Sequence, residues 1–146
     1  MKNYLIICFY LLLVSAVVPT EEARFARIKF EETTFNYGKI TENDIVEHEF
    51  KFKNVGNADL IIKDAQVTCG CTTPSYSFLP IAPGKSGVIG VRFDSHNKIG
   101  AQRPTVTVVT NGRPAIVKLY MEGDVKYVPL AEQEKQKKSK EEAVKN

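Results

Sequence analysis

Apolar and polar side chains alternate strictly along one segment of the chain, and this alternation restricts what the chain can fold into. One face of Ile45–Asn54 carries residues suited to a core: Val46, His48, Phe50 and Phe52. The opposite face is mainly charged: Glu47, Glu49, Lys51 and Lys53. Successive side chains point to opposite faces of a β-strand, so the segment is predicted to be a strand with one buried and one solvated face.

Shorter runs with the same period occur on both sides of this segment. They predict strands at Arg24–Tyr37 (broken near Glu31–Thr33), Ala58–Cys69 and Gly87–Asp94, and two arms within Thr105–Gly123. The two arms flank Asn111–Gly112, a dipeptide that favours tight hairpins. Turn signals separate the strands: Asn36–Gly38, Asn54–Asp59, Pro80–Gly87, Asn97–Gly100 and Thr110–Pro114. No segment before Pro129 shows a helical period.

This pattern indicates an all-β fold. About seven short strands within roughly one hundred residues are typical of an immunoglobulin-like Greek-key β-sandwich. The hallmarks of an antibody domain are missing, because the chain has no tryptophan. In addition, Cys69 and Cys71 are too close in sequence to link opposing sheets.

The N-terminus predicts export. Lys2, the apolar run Leu5–Val18 and the small residues Val14–Ala16 follow the order of a secretory signal peptide. The run is shorter than the roughly 20 residues that span a bilayer. We therefore predict a signal peptide over 1–16, which could extend to about residue 23, and no transmembrane segment after cleavage. An uncleaved anchor is the alternative reading.

The chain is therefore predicted to have three segments: the signal, an immunoglobulin-like domain over 24–128 and a charged tail over 129–146. The tail is rich in lysine and glutamate and is predicted to be disordered or partly helical. Loss of Lys2 with the signal lowers the net charge from +3 to +2. That balance is too even for a nucleic-acid-binding domain, so no nucleic-acid partner is predicted.

Four motifs give the domain a family resemblance. In chain order they are "KNVGNADL", "CGCTTP", "PIAPGKSG" and "IGVRFDS", all within Phe50–Ser95. With them the chain resembles a bacterial domain of unknown function, family 1573, common in exported proteins of the Bacteroidetes. The resemblance implies a fold similar to major sperm protein and cilium-associated domains, a periplasmic or envelope location and no established activity.

The motif residues have plausible structural roles. Asn54, Gly56 and Asn57 suit positions with φ > 0 in a strand connection, and Pro83–Gly84 suits the two corners of a turn. In the cysteine motif, Gly70 is predicted to bend the chain and Pro74 to stop the strand. The full set assigned to structure is Asn54, Gly56, Asn57, Gly70, Thr72, Pro74, Pro83, Gly84, Asn111 and Gly112.

Cys8 is predicted to leave with the signal, so Cys69 and Cys71 remain in a compartment where disulfides persist. Three states stay open for this pair. A direct disulfide requires a bend at Gly70 and would be easily reduced. A soft metal such as Cu(I) would need a further ligand, such as Met121 or a histidine. Two buried, reduced thiols are the third state. Thioredoxin-like chemistry is disfavoured, because the spacing is wrong and no helix follows.

No catalytic constellation is visible, so no enzyme activity and no cofactor are predicted. The letters "DSH" at Asp94–His96 cannot form a triad from consecutive residues. The leading hypothesis is an exported, non-catalytic binding or accessory module of the bacterial envelope. It would contact a protein or another envelope macromolecule through the loops Cys69–Pro80 and Asn54–Asp59. The alternative is a periplasmic thiol-redox or Cu(I)-handling protein built on Cys69 and Cys71.

Overall fold

A computed structural model of the protein describes residues 22–129, 131–132 and 134–135. The predicted signal peptide 1–16, Cys8 and most of the charged tail lie outside the described residues. Within the described tail, residues 131–132 and 134–135 are helical. No helix in the described part of the chain is long and apolar enough to cross a membrane.

Nine strands are present in the described chain. They are β1 (Ile28–Phe30), β2 (Thr34–Thr41), β3 (Ile45–Asn54), β4 (Ile62–Val67), β5 (Thr72–Tyr76), β6 (Ser86–Asp94), β7 (Gly100–Gln102), β8 (Thr105–Thr110) and β9 (Ile116–Lys126). One sheet has the order β1-β3-β6-β5, and the other has the order β2-β9-β8-β4, with β7 also paired to β9. All neighbours are antiparallel except β2 and β9, which are parallel.

The two sheets confirm the immunoglobulin-like sandwich, with nine strands rather than about seven. The sequence did not predict β5 or β7 as strands: β7 has three residues, and β5 contains a proline. The break near Glu31–Thr33 is confirmed, because the chain crosses there from the four-stranded sheet to the five-stranded sheet.

The core lies between the sheets and follows the alternation seen in the sequence. Its buried members are Ala26, Ile28, Phe50, Phe52, Leu60, Ile62, Ile89, Val91, Phe93, Val106, Val108, Leu119, Met121 and Val125. Phe50 and Phe93 are completely buried. Burying each such side chain stabilises the fold by about 1.5–3 kcal/mol.

Strand register divides the loops between two ends of the sandwich. Ile45 pairs with Asp94 and Thr72 with Phe93, so the start of β3, the end of β6 and the start of β5 share one end. We call it the cysteine end. Lys53 pairs with Ser86, which places the end of β3 at the other end. We call this the asparagine end; its segments are 25–27, 54–59, 80–85 and 111–115.

The β8–β9 hairpin exists, but the prediction of a tight turn at Asn111–Gly112 is wrong. The strands are joined by five residues, and the Thr110 N–H donates to the Ala115 carbonyl at 2.8 Å. Neither central residue has positive φ. Gly112 is buried instead, where an added Cβ would lie 3.0 Å from both the Ala26 oxygen and the Leu60 Cδ1 atom.

Candidate functional site

The cysteine motif forms the turn by which the chain passes from one sheet to the other. β4 is an edge strand of the five-stranded sheet, and β5 is an edge strand of the four-stranded sheet. The Thr72 N–H donates to the Cys69 carbonyl at 3.2 Å and closes the turn. Cys69 and Cys71 are joined by a disulfide, with their Cα atoms 5.2 Å apart.

The chain bends at Gly70 as predicted, but the geometry of this turn does not require glycine. The φ of Gly70 is not among the positive values of the described chain, which for glycine occur at Gly38, Gly84 and Gly100. An added Cβ at Gly70 would meet nothing within 4 Å. The turn is therefore held by its hydrogen bond and its disulfide.

Both cysteines are half-buried. The buried Thr72 hydroxyl lies 3.4 Å from Cys69 Sγ and 3.9 Å from Cys71 Sγ. A shallow depression of about 160 Å³ opens beside the turn, and two of its lining residues are cationic, Lys98 and Arg103. The half-buried disulfide thus lies beside a hydroxyl donor and shares a depression with two cationic residues, of which Arg103 is ion-paired with Glu122 at 3.3 Å.

The structure offers the cysteine pair no ready set of metal ligands. No cluster of three or more histidine, cysteine, aspartate or glutamate residues occurs among the residues described. Met121, the suggested third ligand for Cu(I), is 1% exposed within the core.

At the asparagine end, the side chain of Asn54 connects three separate segments. It is fully buried. Its Nδ2 donates to the Ala58 and Ile81 carbonyls, both at 2.8 Å. Its Oδ1 accepts from the N–H groups of Gly56 at 3.0 Å and Arg27 at 3.3 Å. All four bonding positions of the amide are used.

Neighbouring motif residues support the same junction, but not through the positive φ predicted for Asn54, Gly56 and Asn57, which have none. Gly56 is constrained by close approach, since an added Cβ would lie 2.5 Å from Arg27 N and 2.8 Å from Ala26 C. Asn57 Oδ1 accepts from the Phe25 N–H at 2.8 Å. The "KNVGNADL" segment is thereby hydrogen-bonded to the residues that precede β1.

The "PIAPGKSG" motif meets the "KNVGNADL" motif at this point. Gly84 has φ +77°, and the Lys85 N–H donates to the Ala82 carbonyl at 3.1 Å, so Pro83 and Gly84 occupy the two corners of a turn. The Gly84 N–H donates to the Asn54 carbonyl at 2.8 Å. Asn111 adds another link, because its Nδ2 donates to the Asp59 carbonyl at 2.9 Å.

The contact surface predicted from sequence is divided by this geometry. The cysteine turn lies at one end of the sandwich and the Asn54–Asp59 loop at the other. Antiparallel β5 returns the chain to the asparagine end, where Leu60 and Ile81 form a bridge. Of the predicted Cys69–Pro80 surface, only the part after β5 therefore lies near Asn54–Asp59.

β5 is a free edge that is poorly suited to adding another strand. The Asp94 N–H donates to the Cys71 carbonyl at 2.9 Å, and such pairs recur at every second residue. Backbone groups of Thr73 and Ser75 therefore face β6, and those of Thr72, Pro74 and Tyr76 face the open edge. The Thr72 N–H is used in the turn, and Pro74 has none. Pro74 lies inside the strand, opposite Val91, and does not stop it as predicted.

Two large apolar side chains project into solvent directly after β5. Phe78 and Leu79 are 75% and 74% exposed, although Phe78 contacts the Tyr76 ring at a centroid distance of 5.0 Å. Leu79 also lines a groove of about 340 Å³ with Phe52, Ile62, Ile81 and Val88. Sequence alternation could not identify this patch, since Phe78 and Leu79 are consecutive and lie outside any strand.

The two histidines contact different parts of the domain: His48 lies in β3, and His96 lies in the loop after β6. His48 stacks on Phe35 with a centroid distance of 3.8 Å, and its Nε2 lies 2.9 Å from Glu32 Oε1. In the "DSH" segment, the buried Ser95 hydroxyl donates to the Asp44 carbonyl at 2.8 Å. The His96 Nδ1 atom lies 2.7 Å from Asn43 Oδ1. The contacts of Ser95 and His96 join two loops of the cysteine end.

A protein-family model described as "Protein of unknown function (DUF1573)" matches residues 28–125. The chain belongs to this family. The match begins at β1 and ends just before the last residue of β9, so the DUF1573 domain comprises both sheets and both motif-bearing ends. The comparison with curated proteins gave no match.

Solved structures with a similar fold come from bacteria and from a human protein. A protein of unknown function from Porphyromonas gingivalis W83 aligns with a TM-score of 0.59 and 12% identity, over 70% of this chain and 48% of that chain. The ASH/PapD-like domain 7 of human CEP192 aligns with 0.55 and 12%, over 80% and 97%.

The Vibrio cholerae VesB protease also aligns, with a TM-score of 0.51 and 11% identity, over 69% of this chain and 31% of the protease. This chain therefore spans about half of the Porphyromonas protein and a third of the protease. At these identities, the likenesses show the fold alone.

Proposed function

We propose that this DUF1573 protein is an exported, non-catalytic binding module of the bacterial envelope whose partner is a protein. The exposure of Phe78 and Leu79 carries the proposal. Two adjacent large apolar side chains in solvent beside an apolar groove are costly for a soluble domain and typical of interaction sites. Export rests on the N-terminal sequence.

The mode of binding follows from the edge of β5. Pro74 and the occupied Thr72 N–H remove donors that an added strand would need. Recognition is therefore proposed to occur through side chains, with Phe78 and Leu79 entering a pocket of the partner and the groove beside Val88 receiving an apolar group in return. Aromatic and aliphatic anchors of this kind commonly dominate binding energy.

Site-specific photo-crosslinking in the native envelope tests this proposal. A photoreactive residue at Phe78 should give one reproducible adduct of defined mass, whereas one at Ile116, which is 58% exposed on the other sheet, should not. Phe78→Ser with Leu79→Ser, read out by a crosslinker at Val88, should abolish the adduct. Identical adducts from positions 78 and 116, or none, would refute the proposal.

The cysteine turn favours a second candidate, thiol–disulfide exchange with a periplasmic dithiol. One thiolate of the dithiol attacks a sulfur of the pair, forms a mixed disulfide and releases the other cysteine as thiolate. The second thiol of the dithiol then breaks the mixed disulfide. The dithiol becomes a disulfide, and both electrons and two protons reside on Cys69 and Cys71. We propose that the Thr72 hydroxyl, 3.4 Å from Cys69 Sγ, and the cations Lys98 and Arg103, which line the same depression, stabilise the leaving thiolate; Arg103 also pairs with Glu122 at 3.3 Å.

Thiol trapping and mass spectrometry distinguish this candidate from a structural disulfide. After incubation with a reduced dithiol, wild type should show two trapped cysteines, and Lys98→Gln with Arg103→Gln should react more slowly. Lys63→Gln with Lys118→Gln provides a control of equal net charge. A pair that stays oxidised, or equal rates in all variants, would exclude the exchange role.

A further inference from the structure

One end of the four-stranded sheet carries a cluster of unpaired positive charge. We call it the cationic face, and its residues are Arg27, Lys29, Lys51, Lys53 and Arg113; all are exposed. Lys29 and Lys53 are direct partners across β1 and β3. None of the five forms an ion pair with a described residue. The Glu31 N–H donates to the Lys51 carbonyl, so these two residues lie opposite each other, but their side chains form no ion pair.

This arrangement works against the stability of the isolated domain. Like charges at directly opposed positions of antiparallel strands repel each other. Glu31 lies two residues from Lys29 along the chain, but no described carboxylate forms an ion pair with Lys29 or Lys53. A ligand of negative charge would convert the repulsion into attraction.

The cationic face also has an apolar part. A shallow depression of about 600 Å³ is lined by Arg27, Lys29 and Arg113 together with Ile28, Val55 and Pro114. Val55 is 45% exposed. The guanidinium carbons of Arg27 and Arg113 lie 5.3 and 5.1 Å from the centroid of the Phe25 ring. Apolar groups ringed by cations match the boundary between headgroups and acyl chains of a bilayer.

The entry of the chain lies at the same place. The described residues begin at Glu22 and reach this surface at Phe25, whose N–H and carbonyl both bond to Asn57. The described chain therefore begins beside the positive charge of the domain.

We propose that the cationic face docks on an anionic phospholipid bilayer. The exposed apolar groups beside the cations favour a lipid surface over a dissolved polyanion. Phe78 and Leu79 follow β5, which is the edge of the four-stranded sheet opposite β1. This inference is independent of the protein partner proposed above.

Vesicle co-sedimentation of the full chain tests the docking. The measured quantity is the ratio of partition into phosphatidylglycerol–phosphatidylcholine vesicles to partition into phosphatidylcholine vesicles, which cancels binding that does not depend on lipid charge. Wild type should favour the anionic vesicles, and added salt should remove the preference. Lys29→Gln with Lys53→Gln should lower the ratio by about fivefold for each charge removed.

Lys63→Gln with Lys118→Gln has the same net charge and should keep the wild-type ratio. The Lys29/Lys53 variant should also be no less stable than wild type, which excludes unfolding as the cause. Equal losses in the two double variants, or a wild-type ratio of one, would overturn the proposal. Binding to soluble polyphosphate without preference for anionic vesicles would overturn it in favour of a polyanion site.

Discussion

Replacing Asn54 should reveal how much one side chain contributes to joining the family motifs. Asn54→Ala removes four hydrogen bonds, two of them donated at 2.8 Å from a fully buried amide. Each backbone group left unpaired costs about 1–3 kcal/mol, and the lower end applies because the partners are only partly buried. The expected loss is about 4 kcal/mol, a large fraction of the roughly 5–15 kcal/mol available to a domain.

Urea unfolding followed by far-ultraviolet circular dichroism measures this loss, since the chain has no tryptophan. Asn57→Ala is the matched control, because Asn57 is exposed and its side chain accepts one bond from Phe25; it should cost about 1 kcal/mol. Asn54→Asp should be at least as destabilising as alanine, since it directs an oxygen at two carbonyls. Its loss should shrink in acid. A loss for Asn54→Ala no greater than that for Asn57→Ala would refute the reasoning.

Three further outcomes are expected. Gly123→Ala should cost about 1–3 kcal/mol, because the new Cβ would meet the Tyr37 ring and lie 2.5 Å from the Gly38 oxygen, whereas Gly70→Ala should be nearly neutral in the same denaturation assay. Pro74→Thr should add a donor to the open edge of β5 and cause self-association at high concentration, measured by light scattering; a strictly monomeric variant would argue against the edge assignment. Burial, and secondarily Asp124, raises the pKa of Tyr37. Its neutral form should therefore stabilise the fold below about pH 10 and lose that effect as pH rises further; Tyr37→Phe should remove this dependence in unfolding curves, and an unchanged alkaline profile would contradict it.

Alternation predicted the strands whose two faces see different surroundings. In β3 and β6 the inward residues Phe50, Phe52 and Phe93 are all buried, as the period of two required. Alternation did not predict β5 or β7. β5 has polar residues and a proline at an open edge, and β7 is too short for a period to show.

The roles of the motif residues depend on contacts that are distant in sequence. Asn54 bonds to Ile81 and Arg27, each 27 residues away, so a local turn preference cannot reveal them. Gly56 has a steric reason of the same kind, since it lies against Arg27 and Ala26. The pattern of letters located the junction, but only the folded chain shows which groups meet there.

The candidate surfaces also differ in how far the sequence could predict them. The close spacing of Cys69 and Cys71 made their turn visible in the sequence, whereas Phe78 and Leu79 become a patch only because β5 ends before them. The cationic face combines residues from β1, β3 and the β8–β9 loop, and its cross-strand register is not encoded in any single segment.

The parallel pairing of β2 with β9 sets the order in which the fold can be completed. Thr34 lies opposite Tyr120, and Thr41 lies opposite Lys126. During synthesis from the N-terminus, β2 is made long before β9. β2 therefore cannot pair with its neighbour in the sheet until β9 has been made. A chain truncated before residue 116 leaves β2 unpaired, as an open strand exposed to proteases and to other chains. The five-stranded sheet is thus completed only after β9 has been synthesised.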